Sequence, residues 1–361
     1  MATTIIQWRL HSSCYPLRKL PSYHNNYNSR PANHRIICCA LNTEDKDGLT
    51  SYKEGLKDVS RKEALRRLDL ELERGNEKEA LAIVTSLQGK PSGLRGFGGA
   101  SQVPQRLYTL EELRLNKIDT RSLLSPVDTT LGAVRRNIQI TAIAGYVAAW
   151  RLFNLDQFQL LSIVLALLAL GTIDLVIYGG GVESLIIDTI GRMLSKKYRD
   201  RVAQHEAGHF LIAYLLGILS KGYTLSNLDA FKKNGSLNVQ AGTAFVDFQF
   251  LEEVKSGKLS SGTLSKYSCI ALAGVATEYL LFGLSEGGLT DIQQLDNLFK
   301  SLSFTQKKSD SQVRWAVLNT VTLLRRHEQV RCKLAEAMAF GKSVGECIDT
   351  IENELTNVSD I

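Results

Sequence analysis

Two histidines four residues apart, with a glutamate beside the first, carry the clearest chemical pattern in the chain: His205-Glu206-Ala207-Gly208-His209. The five residues lie in a proline-free apolar run from Arg201 to Leu216 that reads as a helix. Positions i and i+4 share one helical face, so both imidazoles can reach a single Zn2+ ion. Glu206 is then placed to take a proton from the water that completes the site. Histidine is scarce in this sequence. Of the six, His11, His24 and His34 fall among the first 43 residues, leaving His205, His209 and His327. Two of those three share one face, which argues against a helix of merely solvated polar groups.

A zinc site that does chemistry needs a third protein ligand and an open fourth position. One known spacing would put a histidine six residues after His209, but Leu215 stands there and Ile212 replaces the required glycine. Another would use a glutamate roughly twenty residues downstream, and no glutamate lies between His209 and Glu252. Two aspartates are candidates instead. Asp229 sits in the turn-like Ser226-Asn227-Leu228-Asp229, and Asp291 opens the amphipathic run Ile292, Leu295, Leu298, Phe299. Asp291 would equally suit a first-turn acid. Spacing leaves both open, along with a site that has no third protein ligand.

Three segments then resemble one family. Val202 to His209 is similar to the zinc helix of the FtsH-type, ATP-dependent, membrane-anchored metalloproteases. Leu272-Ala273-Gly274-Val275-Ala276-Thr277-Glu278, followed by Phe282-Gly283, resembles that family's Leu-Ala-Gly-x-Ala-Ala-Glu segment. Ser285-Glu286-Gly287-Gly288-Leu289-Thr290-Asp291-Ile292 resembles its Ser-Thr-Gly-Ala-x-x-Asp-Leu segment, which carries the third ligand. The resemblance spans about Arg201 to Leu355. It implies a zinc endopeptidase acting on protein substrates, with Zn2+ held by His205, His209 and Asp291 and with Glu206 as general base. It implies a carboxylate supporting the site at Glu278, for which an ordinary surface acid is the other reading. Glu286 replaces the family's threonine, and Gly288 replaces its alanine, which is expected to loosen the approach to Asp291. The family also places a large ATPase module before the protease, where only Gly179 to Gln204 fits here. No G-x-x-x-x-G-K-[ST] loop occurs, since Glu336 stands where Gly341-Lys342-Ser343 would need its first glycine.

The rest of the chain must position this chemistry. The first 43 residues hold Arg9, Arg18, Lys19, Arg30 and Arg35 among many hydroxyl residues and no acid, as import sequences do. Residues 1–40 are therefore expected to be a transit peptide, plastid in type with Ile37-Cys38-Cys39-Ala40 near the cut; a mitochondrial presequence and a disordered tail are the other readings. The 43 lysines and arginines include those five, so beyond the leader 38 face 37 acids, a net charge of +1. That balance leaves no nucleic-acid footprint. Cys269, Cys332 and Cys347, scattered and without CxxC spacing, imply a reduced compartment.

Residues 41–134 read as a charged helical region and linker. A helical hairpin over Ser60–Leu87 breaks near Gly75-Asn76, a Gly/Ser/Pro-rich stretch runs from Lys90 to Gln105, and a short helical piece lies at Leu110–Leu115. Within 135–180, the apolar runs Ile138–Phe153 and Leu160–Tyr178 predict a two-span membrane hairpin; a bilayer core of about 30 Å needs about 20 helical residues, which the second run supplies and the first reaches only with its flanks, and a buried helical hairpin is the other reading. Arg135 and Arg136 before it, and Lys196, Lys197, Arg199 and Arg201 after it, put both ends on the stromal side.

Residues 181–361 form the peptidase region. Gly222–Asn227 and Ser236–Phe250 are expected as short strands, then helices over Thr263–Leu281, Leu289–Leu302, Asp310–Phe340 and Val344–Leu355. The fold class is mainly α, a helical bundle with a small β element. Two functions compete. One is a zinc metalloendopeptidase of a chloroplast membrane, thylakoid or inner envelope, that cleaves unfolded or loosely held proteins. The other is a non-catalytic partner of ATPase-bearing FtsH-type homologues. Self-association into a homo-oligomer fits either.

Overall fold

The computed structural model describes residues 61–90, 92–153, 156–237, 240–256 and 259–355. The expected leader, residues 41–60 of the charged region, Asn154 and Leu155 of the helix connection, and residues 238–239 of the expected second strand lie outside them.

A helical hairpin comes first. Helix α1 (61–73) and α2 (Glu77–Leu87) turn at Gly75, whose φ of +77° a side chain would strain. Next come α3 (Leu110–Leu115), closed by a reciprocal Thr109–Glu112 capping box, and α4 (Thr120–Leu124), capped by Asp119. Helices α5 (Thr129–Phe153) and α6 (Gln157–Tyr178) follow, then α7 (Gly181–Leu194) and α8 (Lys196–Leu215), which carries the histidines. Strands β1 (Ser220–Thr224) and β2 (Gly242–Phe245) pair antiparallel around α9 (Asn227–Asn234). The chain then runs through α10 (Phe248–Lys255), α11 (Ser261–Phe282), α12 (Leu289–Ser301), α13 (Gln306–Arg326), α14 (Glu328–Ala339) and α15 (Val344–Leu355). The described residues are mainly helical with one two-stranded sheet.

Several boundaries differ from expectation for local reasons. Ser226 accepts from the Asp229 amide and so starts α9 where a turn was expected. Among the described residues of 236–250, four pair as a strand; Phe248–Lys255 is helical and turns Phe250 into the core. The long run from Asp310 to Phe340 is two helices, broken at His327.

The core has two centres. One gathers around α11 and α13, the other around α8, α14 and α15. Each fully buried leucine or isoleucine in them, such as Leu211, Leu272 and Ile348, contributes about 1.5–3 kcal/mol. The linker-like stretch after α2 is bound to both centres. Leu94 and Phe97 are buried beside α8, while the Arg95 and Gly96 amides donate to buried Glu352 at 2.9 and 2.7 Å. The Gly98 amide donates to the Tyr214 carbonyl and the Val103 amide to Asn319, and Tyr108, Leu113, Ile118 and Leu123 enter the α11–α13 core. Residues before α5 and after α6 thus share one interior.

The two apolar helices are not equivalent. Among the described helices, α6 is long and apolar enough to cross a membrane; α5 is not, which corrects the expectation of two matching spans. Arg135, Arg136, Asn137 and Gln139 near its start and Arg151 near its end shorten its apolar length. Both helices nevertheless expose apolar side chains, among them Ile140, Ile143 and Leu152 on α5 and Leu161, Leu165 and Leu168 on α6. Their inner ends are anchored on α7. Arg135 pairs with Glu183 at 2.9 Å, and Asp174, the lone charge in the second run, accepts from the Val182 and Glu183 amides.

His327 is 1% exposed, and neither ring nitrogen has a partner. Burial, with Arg326 adding to it, pushes its pKa from 6.5 down to about 4. Between those values the unfolded chain binds a proton that the folded chain does not, so stability falls as pH drops through this window. The full effect is about 3 kcal/mol. Denaturant midpoints of the detergent-held protein from pH 7 to 4.5 should show this slope, and His327→Leu should flatten it. Equal slopes would contradict the assignment.

Candidate metal centre

Helix α8 owes its position to small residues facing α11. A Cβ at Gly208 would overlap the Thr277 hydroxyl and come within 2.9 Å of the Ala273 carbonyl oxygen, and one at Gly274 would overlap the His205 ring. The two helices therefore approach closely enough for α11 to hold both histidines from behind. His205 Nδ1 lies 2.7 Å from Glu278 Oε1, and His209 Nδ1 lies 2.7 Å from the Ile270 carbonyl oxygen. With each Nδ1 engaged from behind, both Nε2 atoms turn to the same point.

Asp291 completes that point from the first turn of α12. Its Oδ2 is 3.2 Å from His205 Nε2 and 3.3 Å from His209 Nε2, and the two Nε2 atoms are 3.1 Å apart. Three ligands of a tetrahedral ion with bonds of about 2.0–2.1 Å stand about 3.3 Å from one another. The triangle has that size. Donor atoms from His205, His209 and Asp291 form the cluster able to hold a metal among the described residues. Asp229 is not part of it; its carboxylate accepts from the Ser226 hydroxyl that caps α9 and borders a different groove.

Gly288, expected to loosen this corner, tightens it. It caps α12 at φ +80°, and a Cβ there would overlap Val275 and reach 3.1 Å from the His205 ring. Only glycine lets the loop pass this close.

The electrostatics favour a cation. Burial alone would push the His205 pKa down, but Asp291 and Glu278 outweigh it and hold it well above the ordinary value. Burial would raise Asp291, yet the His209 and His205 imidazoles hold it well below the usual carboxylate range. Glu278, 1% exposed, is likewise pushed up by burial but held at about 2 by His205, the Glu286 amide and Arg201. The residues thus fit a divalent ion: two imidazoles oriented from behind and one carboxylate, with room for water. Asp291→Asn should weaken zinc binding, read by chelator competition, by more than the roughly 10–100-fold typical of a supporting partner. Unchanged affinity, with Asp229→Asn destroying binding, would overturn the assignment.

Glu206 stands outside this group of three. Its Oε2 accepts from Thr243 Oγ1 at 2.9 Å, so β2 fixes the carboxylate in the cavity that the three also line. That cavity, of about 700 Å3, is bounded by the start of α5, the end of α6, α7, β2 and the 286–291 segment. Sequence reading missed Thr243, the Ile270 carbonyl and Arg201, whose guanidinium binds Glu278 at 3.0 Å. A threonine in a short strand and a backbone carbonyl carry no motif.

Protein-family models, curated proteins and solved structures give no match to this chain. Its chemistry has to be argued from the site itself.

Proposed function

We propose that this chain is a membrane-anchored zinc metalloendopeptidase, resembling the protease part of FtsH-type enzymes and working without an ATPase of its own. The observation that carries the reading is the 3.1–3.3 Å triangle of His205, His209 and Asp291 beside a carboxylate, Glu206, that is held off the triangle. Bound there, Zn2+ supplies Lewis acidity to a water and to a peptide carbonyl. Glu206 takes the proton of the attacking water and returns it to the leaving amine. Strand β2 lies between β1 and the cleft, so its second edge is available to an extended peptide. Without an unfoldase the cleft suits unfolded or loosely held protein segments. The detergent-purified mature chain should cleave an unfolded protein without ATP, lose that activity to a chelator and regain it with zinc. A chain that binds zinc yet cleaves nothing would favour the non-catalytic partner of ATPase-bearing homologues.

We place the protein in a plastid membrane with the metal centre facing the stroma. Residues 94–123 and 200–355 share one core, so both ends of the α5–α6 pair lie on the same side. A single crossing by α6 would split that core across the bilayer. The anchor proposed here therefore rests on α6, the described helix with the length and apolarity a bilayer asks, with α5 returning the chain to the same side. Protease added outside sealed thylakoids should digest the metal domain, and alkaline washing should not release the chain. Recovery of the mature protein in the soluble fraction without detergent would refute this arrangement.

A further inference from the structure

We infer that Arg201 and Glu286 are positioning residues that tie the first turn of α5 to the metal centre, so that the seating of α5 sets how firmly the ion is held. The inference rests on the reading of His205, His209 and Asp291 as a metal site. Arg201 lies on the histidine face of α8, one turn before His205, and its side chain is 5% exposed. Its guanidinium reaches Glu278 Oε2 at 3.0 Å and Glu286 Oε1 at 3.1 Å, over the ring of Phe282. Glu278 uses its other oxygen on His205 Nδ1. Glu286 turns its carboxylate the opposite way as well. Its Oε1 accepts from Thr129 Oγ1 at 2.8 Å, and its Oε2 accepts from the Thr130 amide at 3.1 Å. That amide belongs to the opening turn of α5, where no intrahelical acceptor exists.

An unbroken set of charge-assisted bonds therefore runs from α5 through Glu286, Arg201 and Glu278 to the imidazole. The backbone braces it. The Val127 amide donates to the Ser285 carbonyl at 3.1 Å, and the Glu286 and Gly287 amides donate to Glu278 Oε2 at 2.8 and 3.2 Å. The same loop leads into Asp291. A threonine at 286, as in the motif this segment resembles, would offer Arg201 no charge and could not reach both neighbours. Removing the Glu286 charge leaves a buried guanidinium with one carboxylate in place of two. Arg201 then re-aims, Glu278 loses its fixed partner, and the His205 ring loses its orientation. Partners that orient a ligand in this way typically change metal affinity by about 10–100-fold.

The test uses the full mature chain in detergent, with zinc affinity from chelator competition and the absorption spectrum of the Co2+-loaded protein. Glu286→Gln should weaken zinc about tenfold and shift the cobalt bands. Thr129→Val, which touches neither Arg201 nor a ligand, should give a smaller loss in the same direction. In the Glu286→Gln background it should add nothing, because the two act through one contact. Wild-type affinity and spectrum in both single variants would overturn the coupling and leave the metal site standing. A wild-type chain that binds no zinc would remove both together. Should Glu286→Gln fail to fold, Thr129→Val decides: unchanged affinity there overturns the inference.

Discussion

Replacing Glu206 by glutamine is expected to lower peptide cleavage by about 10²–10⁴-fold while leaving bound zinc in place. The amide keeps the size of the side chain and can still accept from Thr243 Oγ1, which holds the carboxylate at 2.9 Å. What it loses is basicity. Because His205, His209 and Asp291 make the triangle without Glu206, the metal content should not change. Paired measurements of cleavage rate and zinc per chain separate base from ligand. Loss of metal in Glu206→Gln would make Glu206 part of the coordination. Retained cleavage would end its role as base.

How far the site was legible depends on distance along the chain. His205 and His209 are four residues apart on one helix, so their shared face follows from helical geometry alone. Asp291 lies 86 residues beyond His205, and spacing could not choose between it and Asp229; the fold does, by seating α12 against α11 and leaving Asp229 exposed at the start of α9, bonded to Ser226. Glu286 and Gly288 read as departures from a motif, and Gly288 as a weakness. Their meaning lies in contacts that pattern cannot show, with α5 for Glu286 and with Val275 for Gly288.

The same holds for the fold. The amphipathic helices α12 and α15 fall close to where periodicity puts them, whereas 236–250, rich in β-branched and aromatic residues, holds a four-residue strand and the start of a helix. The linker-like composition of 90–105 reports local flexibility of the unfolded chain. It is silent on the carbonyls of α8 and the carboxylate of Glu352 that bind this stretch in the folded one. The two exposed apolar helices show the reverse limit. Composition separates α6 from α5, and only the shared core of the flanking residues says that both ends return to one side.

The largest expected effect on the metal itself comes from the histidines. His205→Ala and His209→Ala each remove one of three ligands and leave a cavity in a tightly packed seam between α8 and α11, where Gly274 leaves just enough room for the ring. Two remaining ligands do not hold zinc at stoichiometric levels, since a structural or catalytic site needs three or four. The orienting partners cannot compensate, because Glu278 and the Ile270 carbonyl face the far side of the imidazoles. Elemental analysis of the purified mature chain is therefore the most direct measurement. About one zinc per chain in the wild type and almost none in either variant is the expected result. Full zinc retention in both variants, or its absence from the wild type after zinc loading, would contradict the metal centre on which the proposed peptidase rests.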